Sequence, residues 1–315
     1  MNLHPATTKQ DSTKINEYLT CEREYFFEFV LGYRSDKPSH DLEFGIAAHE
    51  GKAVLLEEGY STKSIDHACE AFLESYRKTY GSDTDMDFKK NPASYRLGLE
   101  QYVIDYHTDN FKVVATEVGF SMLLSDDRVL YGRLDAIIEK DGKYYILETK
   151  TAGALWSYTN ESFQQRFQVM AYTNFLYSYY PVEKVGGVIV DITIYTKQPS
   201  NVRVSVTKTP EQMLGWLVRT NKRFDALEKD FELLREDNNQ VEYWKSDPKK
   251  VPPMRAFPKR ESNCIQYNRI CPYHDVCMAR ENPLIRRNFV PVGFKIDHWD
   301  CTAQKVKQSI NIGKE

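Results

Sequence analysis

Four residues in one short stretch have the types and spacing that could do chemistry: Arg133 and Asp135, then Glu148 and Lys150. The stretch reads Tyr131-Gly-Arg-Leu-Asp-Ala-Ile-Ile-Glu-Lys140, then Asp141-Gly142, then Lys143-Tyr-Tyr-Ile-Leu-Glu-Thr-Lys150. Asp-Gly between two β-rich runs is a strong hairpin signal, because both residues tolerate the positive φ of a type I′ turn. A two-residue turn pairs Lys140 with Lys143, sets Asp135 opposite Glu148, and sets Arg133 opposite Lys150. Side chains alternate along a strand, so those four share one face and Leu134, Ala136 and Ile138 take the other. A three-residue turn with Gly142 in a bulge would place Asp135 opposite Leu147 and break the constellation. Opposed like charges destabilise a hairpin, so two facing carboxylates need a compensator. A hard divalent cation such as Mg²⁺ or Mn²⁺ takes oxygen ligands and would serve. The competing reading is a solvated strand face that carries charges by coincidence.

The elements that must position this hairpin can be read from periodicity. Ser12 can N-cap a helix bearing Ile15, Tyr18 and Leu19, and Cys21–Gly32 continues helical. Helices are expected over Asp41–Glu58, Ser64–Tyr80 and Pro92–Tyr106, and strands near Val113–Leu123, Val129–Glu139 and Lys143–Lys150. A helix over Phe163–Tyr179 would carry Gln164, Gln168 and Tyr172 on one face at i+4 spacing. Val185–Tyr195 is a β-branched run suited to a central strand buried on both faces. Val202–Thr207 reads as a shorter strand and Pro210–Arg235 as a long amphipathic helix. The remainder reads as a Cys-rich loop region.

These residues resemble the core of the PD-(D/E)xK nuclease superfamily. Gly132-Arg-Leu-Asp135 followed by Glu148-Thr-Lys150 is similar to the G-R-x-D and D/E-x-K strands of its RecB-type exonuclease branch, with Leu134 where the superfamily name has Pro. Gly45-Ile-Ala-Ala-His49 resembles the upstream G-x-x-x-H helix, and Gln168-Val-Met-Ala-Tyr172 the downstream Q-x-x-x-Y helix. Glu117 stands where many relatives carry an acidic residue on the preceding strand. The resemblance runs from about Ser12 to Cys277. It implies an α/β, restriction-endonuclease-like core, a mixed central sheet flanked by helices, inside an N-terminal helical wrapper. It further implies Mg²⁺ or Mn²⁺ held by His49, Asp135, Glu148 and the Thr149 carbonyl, which would polarise the phosphate and activate water. Lys150, Gln168 and Tyr172 would complete the catalytic set, with Glu117 and Arg133 accessory.

Six cysteines add a second line: Cys21, Cys69, Cys264, Cys271, Cys277 and Cys301. Cys264-x6-Cys271 and Cys277 form a tight triple, which needs a fourth ligand to close a tetrahedral site. Cys21 is the candidate, and Cys69 and Cys301 read as small buried hydrophobes. A subset of RecB-type nucleases, the AddB subunits among them, carries one Cys before the core and three after it, holding a 4Fe-4S cluster. The resemblance therefore implies such a cluster at Cys21, Cys264, Cys271 and Cys277, with Zn²⁺ the competing occupant.

Hydrophobic content of 41%, aromatic content of 13% and a mean hydropathy of −0.57 fit a globular enzyme. No run approaches the roughly twenty apolar residues of a membrane span, and the N-terminus lacks a signal-peptide pattern. A cytoplasmic location, in a bacterium or a virus-infected host, is expected, with no membrane partner. A net charge of −3 argues against nonspecific coating of nucleic acid and leaves room for a local basic groove. Candidate basic patches are Arg219–Arg223, Lys249-Lys250 with Arg255, Lys259 and Arg260, and Arg286-Arg287. The aromatic run Tyr172–Tyr180 could stack on bases or serve as core.

The chain is expected to be one nuclease domain over 1–315: helical part 12–109, core 110–235, Cys-rich region and tail 236–315. It has no P-loop and so no ATP motor of its own. The expected activity is exonucleolytic hydrolysis of DNA ends in recombination, repair or viral DNA processing, beside a helicase or recombinase. The alternative is a non-catalytic DNA-end binding or recruitment module of the same fold.

Overall fold

The computed structural model describes residues 3–125, 127–154, 159–247, 250–266 and 269–313. Strand β1 (Gln10–Asp11) leads into α1 (Ser12–Thr20). The cap is Asp11 rather than Ser12: its carboxylate accepts the Lys14 N–H at 2.8 Å. Helix α2 (Glu22–Tyr25) runs into a π-helical turn at Phe26–Val30, then β2 (Tyr33–Ser35). Next come α3 (His40–Glu58), α4 (Thr62–Tyr76), α5 (Pro92–Tyr106), β3 (Lys112–Ser125), β4 (Arg128–Lys140) and β5 (Lys143–Ala152), close to the spans their periodicity indicates.

The helix expected over Phe163–Tyr179 is two helices, α6 (Thr159–Phe163) and α7 (Phe167–Tyr179). Arg166 is extended at φ −61°, ψ 133°, which breaks the helix and lets Phe163 bury. Gln164 therefore leaves the face it was expected to share and accepts from Lys208 instead. Beyond lie β6 (Val185–Ile194), β7 (Ser200–Val206) and α8 (Pro210–Ser246), the last longer than expected. The C-terminal region is not all loop: it holds β8 (Ile265–Gln266), β9 (Arg269–Ile270), α9 (His274–Met278), β10 (Phe294–Ile296) and β11 (Gln308–Ile312). These pieces are too short for periodicity to reveal.

Two compact units are interleaved along the chain: Met1–Lys37, Met122–Gly132 and Gly215–Gln304 form one; Pro38–Ser121, Arg133–Leu214 and Lys305–Glu315 form the other. In the first, an aromatic knot forms around Phe257, which stacks on Tyr25 and is flanked by Tyr18, Phe26 and Phe231. Asp230 on α8 accepts from both the Tyr18 hydroxyl and the Phe257 N–H. Arg23 donates to the Phe257 carbonyl at 2.8 Å. Near the hairpin end shared by β3 and β4, β1 pairs parallel to β4.

The second unit carries a mixed sheet in the order β11-β3-β4-β5-β6-β7. β4 and β5 are antiparallel, β5 and β6 parallel, β6 and β7 antiparallel. A parallel pair needs a crossover connection, and α6 and α7 supply it. Leu56 of α3 packs on Ala136, Ile138 and Leu147, while α7 lies against β5 and β6. Phe44, Phe72, Tyr76, Tyr95, Tyr102 and Tyr195 form the aromatic core under α3, α4 and α5, each worth roughly 1.5–3 kcal/mol of apolar burial. Among the described residues, no helix is long and apolar enough to cross a membrane.

Candidate active site

Asp141 and Gly142 take φ of 53° and 74°, the left-handed pair of a two-residue turn. The ladder runs from Lys140↔Lys143 to Ala136↔Leu147, so the two-residue register formed and the bulged one did not. It ends at Ala136. Beyond it, Asp135 Oδ2 accepts the Thr149 backbone N–H at 2.8 Å, a bond from carboxylate to strand where a ladder bond would otherwise lie. Arg133 accordingly does not sit against Lys150. Its guanidinium reaches Glu117, 3.2 Å away.

Helix α3 delivers His49. Its buried Nδ1 lies 3.0 Å from Asp135 Oδ1, an ion-pair contact when the imidazole is protonated. Glu148 is 1% exposed, and its Oε2 is buried without a hydrogen-bond partner. Its other oxygen, Oε1, accepts from Lys150 Nζ at 2.6 Å.

From Lys150 a one-directional relay runs across to α7. Lys150 donates to Gln168 Oε1 at 3.1 Å, Gln168 Nε2 to the Tyr172 hydroxyl at 2.9 Å, and Tyr172 to the Arg133 carbonyl at 2.6 Å. Gln168 and Tyr172 each accept once and donate once, which fixes the Gln168 amide orientation. One turn of α7 separates Gln168 from Tyr172, so the relay needs only that helix face.

The electrostatics are those of crowded, desolvated acids. Burial and then the Asp135 charge push the Glu148 carboxyl up to about 7, against the pull of Lys150. Burial also opposes ionisation of Asp135, but His49, Lys150 and the Thr149 N–H outweigh it and hold it at about 2. Burial would lower His49, but Asp135 beside it overrides this and raises it. Glu117 is pushed up to about 7, chiefly by burial, with Arg133 opposing and Asp135 adding to the shift. Its backbone stands at φ 50°, unusual for a non-glycine, and its Oε1 has no hydrogen-bond partner.

Two carboxylates and an imidazole with unfilled lone pairs are the donor set of a hard divalent cation. An imidazole nitrogen 3.0 Å from a carboxylate oxygen requires a proton or a metal ion between them. The residues present thus fit such an ion. As they stand, Lys150 serves as counter-charge to Glu148, and no group of three or more His, Cys, Asp or Glu among the described residues is drawn together as a metal cage.

Cys21, Cys264, Cys271 and Cys277 line one cavity of the first unit, with Arg23, Glu24, Lys259 and Arg260 beside them. None is in a disulfide. The hairpin β8–β9 closes the six-residue spacing: the Cys271 N–H donates to the Cys264 carbonyl at 2.9 Å. Cys277 sits on α9 and Cys21 immediately precedes α2. Burial pushes the Cys271 thiol up to about 12 and raises that of Cys277 as well. Cys69 packs against the aromatic core and Cys301 is buried, as expected of small hydrophobes.

Several basic candidates are tied up in ion pairs: Arg255 with Asp237 and Glu236, Lys259 with Glu281, Arg260 with Glu22, Lys250 with Asp247. Lys249 lies outside the described residues. In Tyr172–Tyr180, Tyr172, Phe175 and Leu176 are core, Tyr180 stacks on Tyr144, and Tyr179 is exposed. Sequence reasoning missed Lys52, Asp191 and Arg203, a buried charge cluster behind the site. The sequence carried no signal for them, because the partners of Lys52 are distant in the chain.

A family model of the PD-(D/E)XK nuclease superfamily matches residues 12–278. Among solved structures, the "putative exonuclease" of Eubacterium rectale is 11% identical, at a TM-score of 0.41, covering 71% of this chain and 86% of that one. The protein SSO0001 is 14% identical at a TM-score of 0.26, covering 66% and 80%. No curated protein matches.

Proposed function

Because the chain belongs to the PD-(D/E)XK nuclease superfamily, we propose that it is a divalent-metal-dependent deoxyribonuclease, an exonuclease that hydrolyses phosphodiester bonds at DNA ends. The observation that carries this is one buried cluster: His49 Nδ1 lies 3.0 Å from Asp135 Oδ1, Glu148 Oε2 has no hydrogen-bond partner, and Lys150 holds the other Glu148 oxygen. His49, Asp135, Glu148 and the Thr149 carbonyl would hold Mg²⁺ or Mn²⁺. When bound, the ion supplies Lewis acidity toward the phosphate and lowers the pKa of water.

The chain's own residues do the rest. The Thr149 N–H occupies Asp135 Oδ2 and leaves Oδ1, on the His49 side, free to ligate. Lys150 holds a positive charge where negative charge builds at the phosphate. Gln168 and Tyr172 fix that ammonium in direction, since each is bonded on both sides. Arg133 and Glu117 form an accessory pair at the edge of the same site.

The same reading assigns Cys21, Cys264, Cys271 and Cys277 as ligands of a 4Fe-4S cluster, supported by the one cavity they share. Visible absorbance with iron, sulfide and zinc analysis of anaerobically purified protein distinguishes the cluster from zinc. A helicase or recombinase is the proposed protein partner.

The deciding experiment is cleavage of end-labelled linear single- and double-stranded DNA with Mn²⁺ or Mg²⁺, with EDTA and Lys150→Ala as controls. Metal-dependent cleavage that the variant loses, by about 10²-fold or more, supports the assignment. A Lys150→Ala protein that cleaves at the normal rate sinks it. Folded wild-type protein that binds DNA ends without cutting would instead mark a recruitment module.

A further inference from the structure

We propose that Lys52 and Asp191 are positioning residues of the active site: their buried pair pins α3 to β6 one turn beyond His49, and so holds the imidazole against Asp135. The inference rests on the metal-site reading above and extends it to two residues outside that site.

Lys52 Nζ lies 3.3 Å from Asp191 Oδ2, with the two side chains 5% and 1% exposed. An ammonium in such a place is costly, and an apolar side chain would pack as well or better. A buried ion pair is therefore poor evidence for stability. Its best-attested use is to fix register between elements.

Here the anchor is rigid. Asp191 also accepts from the Tyr102 hydroxyl at 2.7 Å and from Arg203 Nε at 3.3 Å. Arg203 in turn grips both oxygens of Asp109, each at 2.8 Å. The Lys52 ammonium sits over the Tyr102 ring, a second constraint on its direction.

The pair closes a circuit through the catalytic strands. Asp191 stands beside Thr149 in the parallel ladder of β5 and β6. Thr149 donates to Asp135, and Asp135 lies against His49, three residues before Lys52 on α3. One contact would let a helix roll about its axis. Two contacts about 4.5 Å apart along the axis, to strands on either side of β5, do not. Between them, Gly51 lets α3 close on its neighbours: a Cβ there would fall on the Tyr95 hydroxyl and the Ala68 carbonyl.

The test is Mn²⁺ binding by calorimetry without DNA, alongside kcat, KM and thermal melting, on wild type, Lys52→Met, His49→Ala and the double variant. Asp85→Asn is the control, because it removes an ion pair of the same unit, with Arg77, that lies outside the Lys52–Asp191 cluster. The expected result is a Mn²⁺ affinity about 10-fold lower in Lys52→Met, with kcat reduced and KM for DNA unchanged. The double variant should bind Mn²⁺ no more weakly than His49→Ala, since Lys52 acts through His49. Asp85→Asn should bind Mn²⁺ normally.

Wild-type affinity in Lys52→Met, or losses that add fully in the double variant, would overturn the proposal. If Lys52→Met does not fold, Lys52→Arg decides: with charge retained and geometry altered, it should fold and still bind Mn²⁺ more weakly, and wild-type affinity there overturns the idea. Wild-type protein that binds Mn²⁺ through His49 but cuts no DNA would refute the nuclease reading and leave the positioning role standing.

Discussion

The Thr149 backbone N–H donates to Asp135 Oδ2 at 2.8 Å, just past the last rung of the β4–β5 ladder at Ala136↔Leu147. This bond settles how two strands of one hairpin present three chemical groups. It orients one carboxylate oxygen, leaves the other toward His49, and keeps the Glu148–Lys150 pair on the neighbouring strand within the same site. Four experiments follow from the geometry around it and in the other unit.

Asp135→Asn keeps an amide oxygen able to accept from Thr149 but removes the charge that His49 and a cation require. Mn²⁺ affinity should fall at least about 10-fold, and the melting temperature at neutral pH should drop, because His49, Lys150 and the Thr149 N–H make the Asp135 charge net stabilising in the fold. Calorimetry and a melting curve on the same sample check both. Unchanged Mn²⁺ binding would remove Asp135 from the metal site.

Tyr172→Phe deletes the hydroxyl that joins Gln168 to the Arg133 carbonyl. The two groups left unpaired should cost about 1–3 kcal/mol of stability, read from denaturant unfolding. DNA cleavage should slow through kcat, since Gln168 no longer holds Lys150 in direction. A variant as stable and as fast as wild type would show the relay to be idle.

Glu17 gives the first unit a pH-dependent stability. Burial, with Glu24 and Glu28 nearby, pushes its carboxyl up to about 8 from an ordinary 4.5, and Oε1 has no hydrogen-bond partner. The folded state therefore holds a proton that the unfolded chain releases above 4.5. Stability should be full at lower pH and decline as pH rises from about 5 to about 8, by on the order of a few kcal/mol. Melting temperatures across that range should fall in wild type and fall less steeply in Glu17→Gln, where Glu148 and Glu117 still titrate. A flat wild-type profile would contradict the assignment.

Cys21→Ala should abolish the visible absorbance of anaerobically purified protein and lower its melting temperature, because Cys21 and the C-terminal triple would close a very long loop. Chelation or oxidative loss of the metal should reproduce the drop in wild type and leave the variant unchanged. Retained absorbance in the variant would exclude Cys21 as a ligand.

Much of the site was legible in the chain itself, because its central device is local. Asp141-Gly142 dictates a two-residue turn, the turn dictates the register, and the register sets Asp135 near Glu148 and Lys150. Helix positions bearing His49, Gln168 and Tyr172 followed from periodicity in the same way. What the sequence could not supply is what depends on distant partners. Where the β4–β5 ladder stops, that Arg133 turns to Glu117, and that Gln164 falls off the end of α7 were decided by packing. So was the return of β11 to the edge of β3, where the Lys307 N–H donates to the carbonyl of Glu117. Lys52 makes the distinction plainest: a lysine on a helix reads as solvated unless its counter-charge is known. Only the folded sheet brings Asp191 to it, because a buried charge is tolerated solely where the rest of the chain has already gathered its partners.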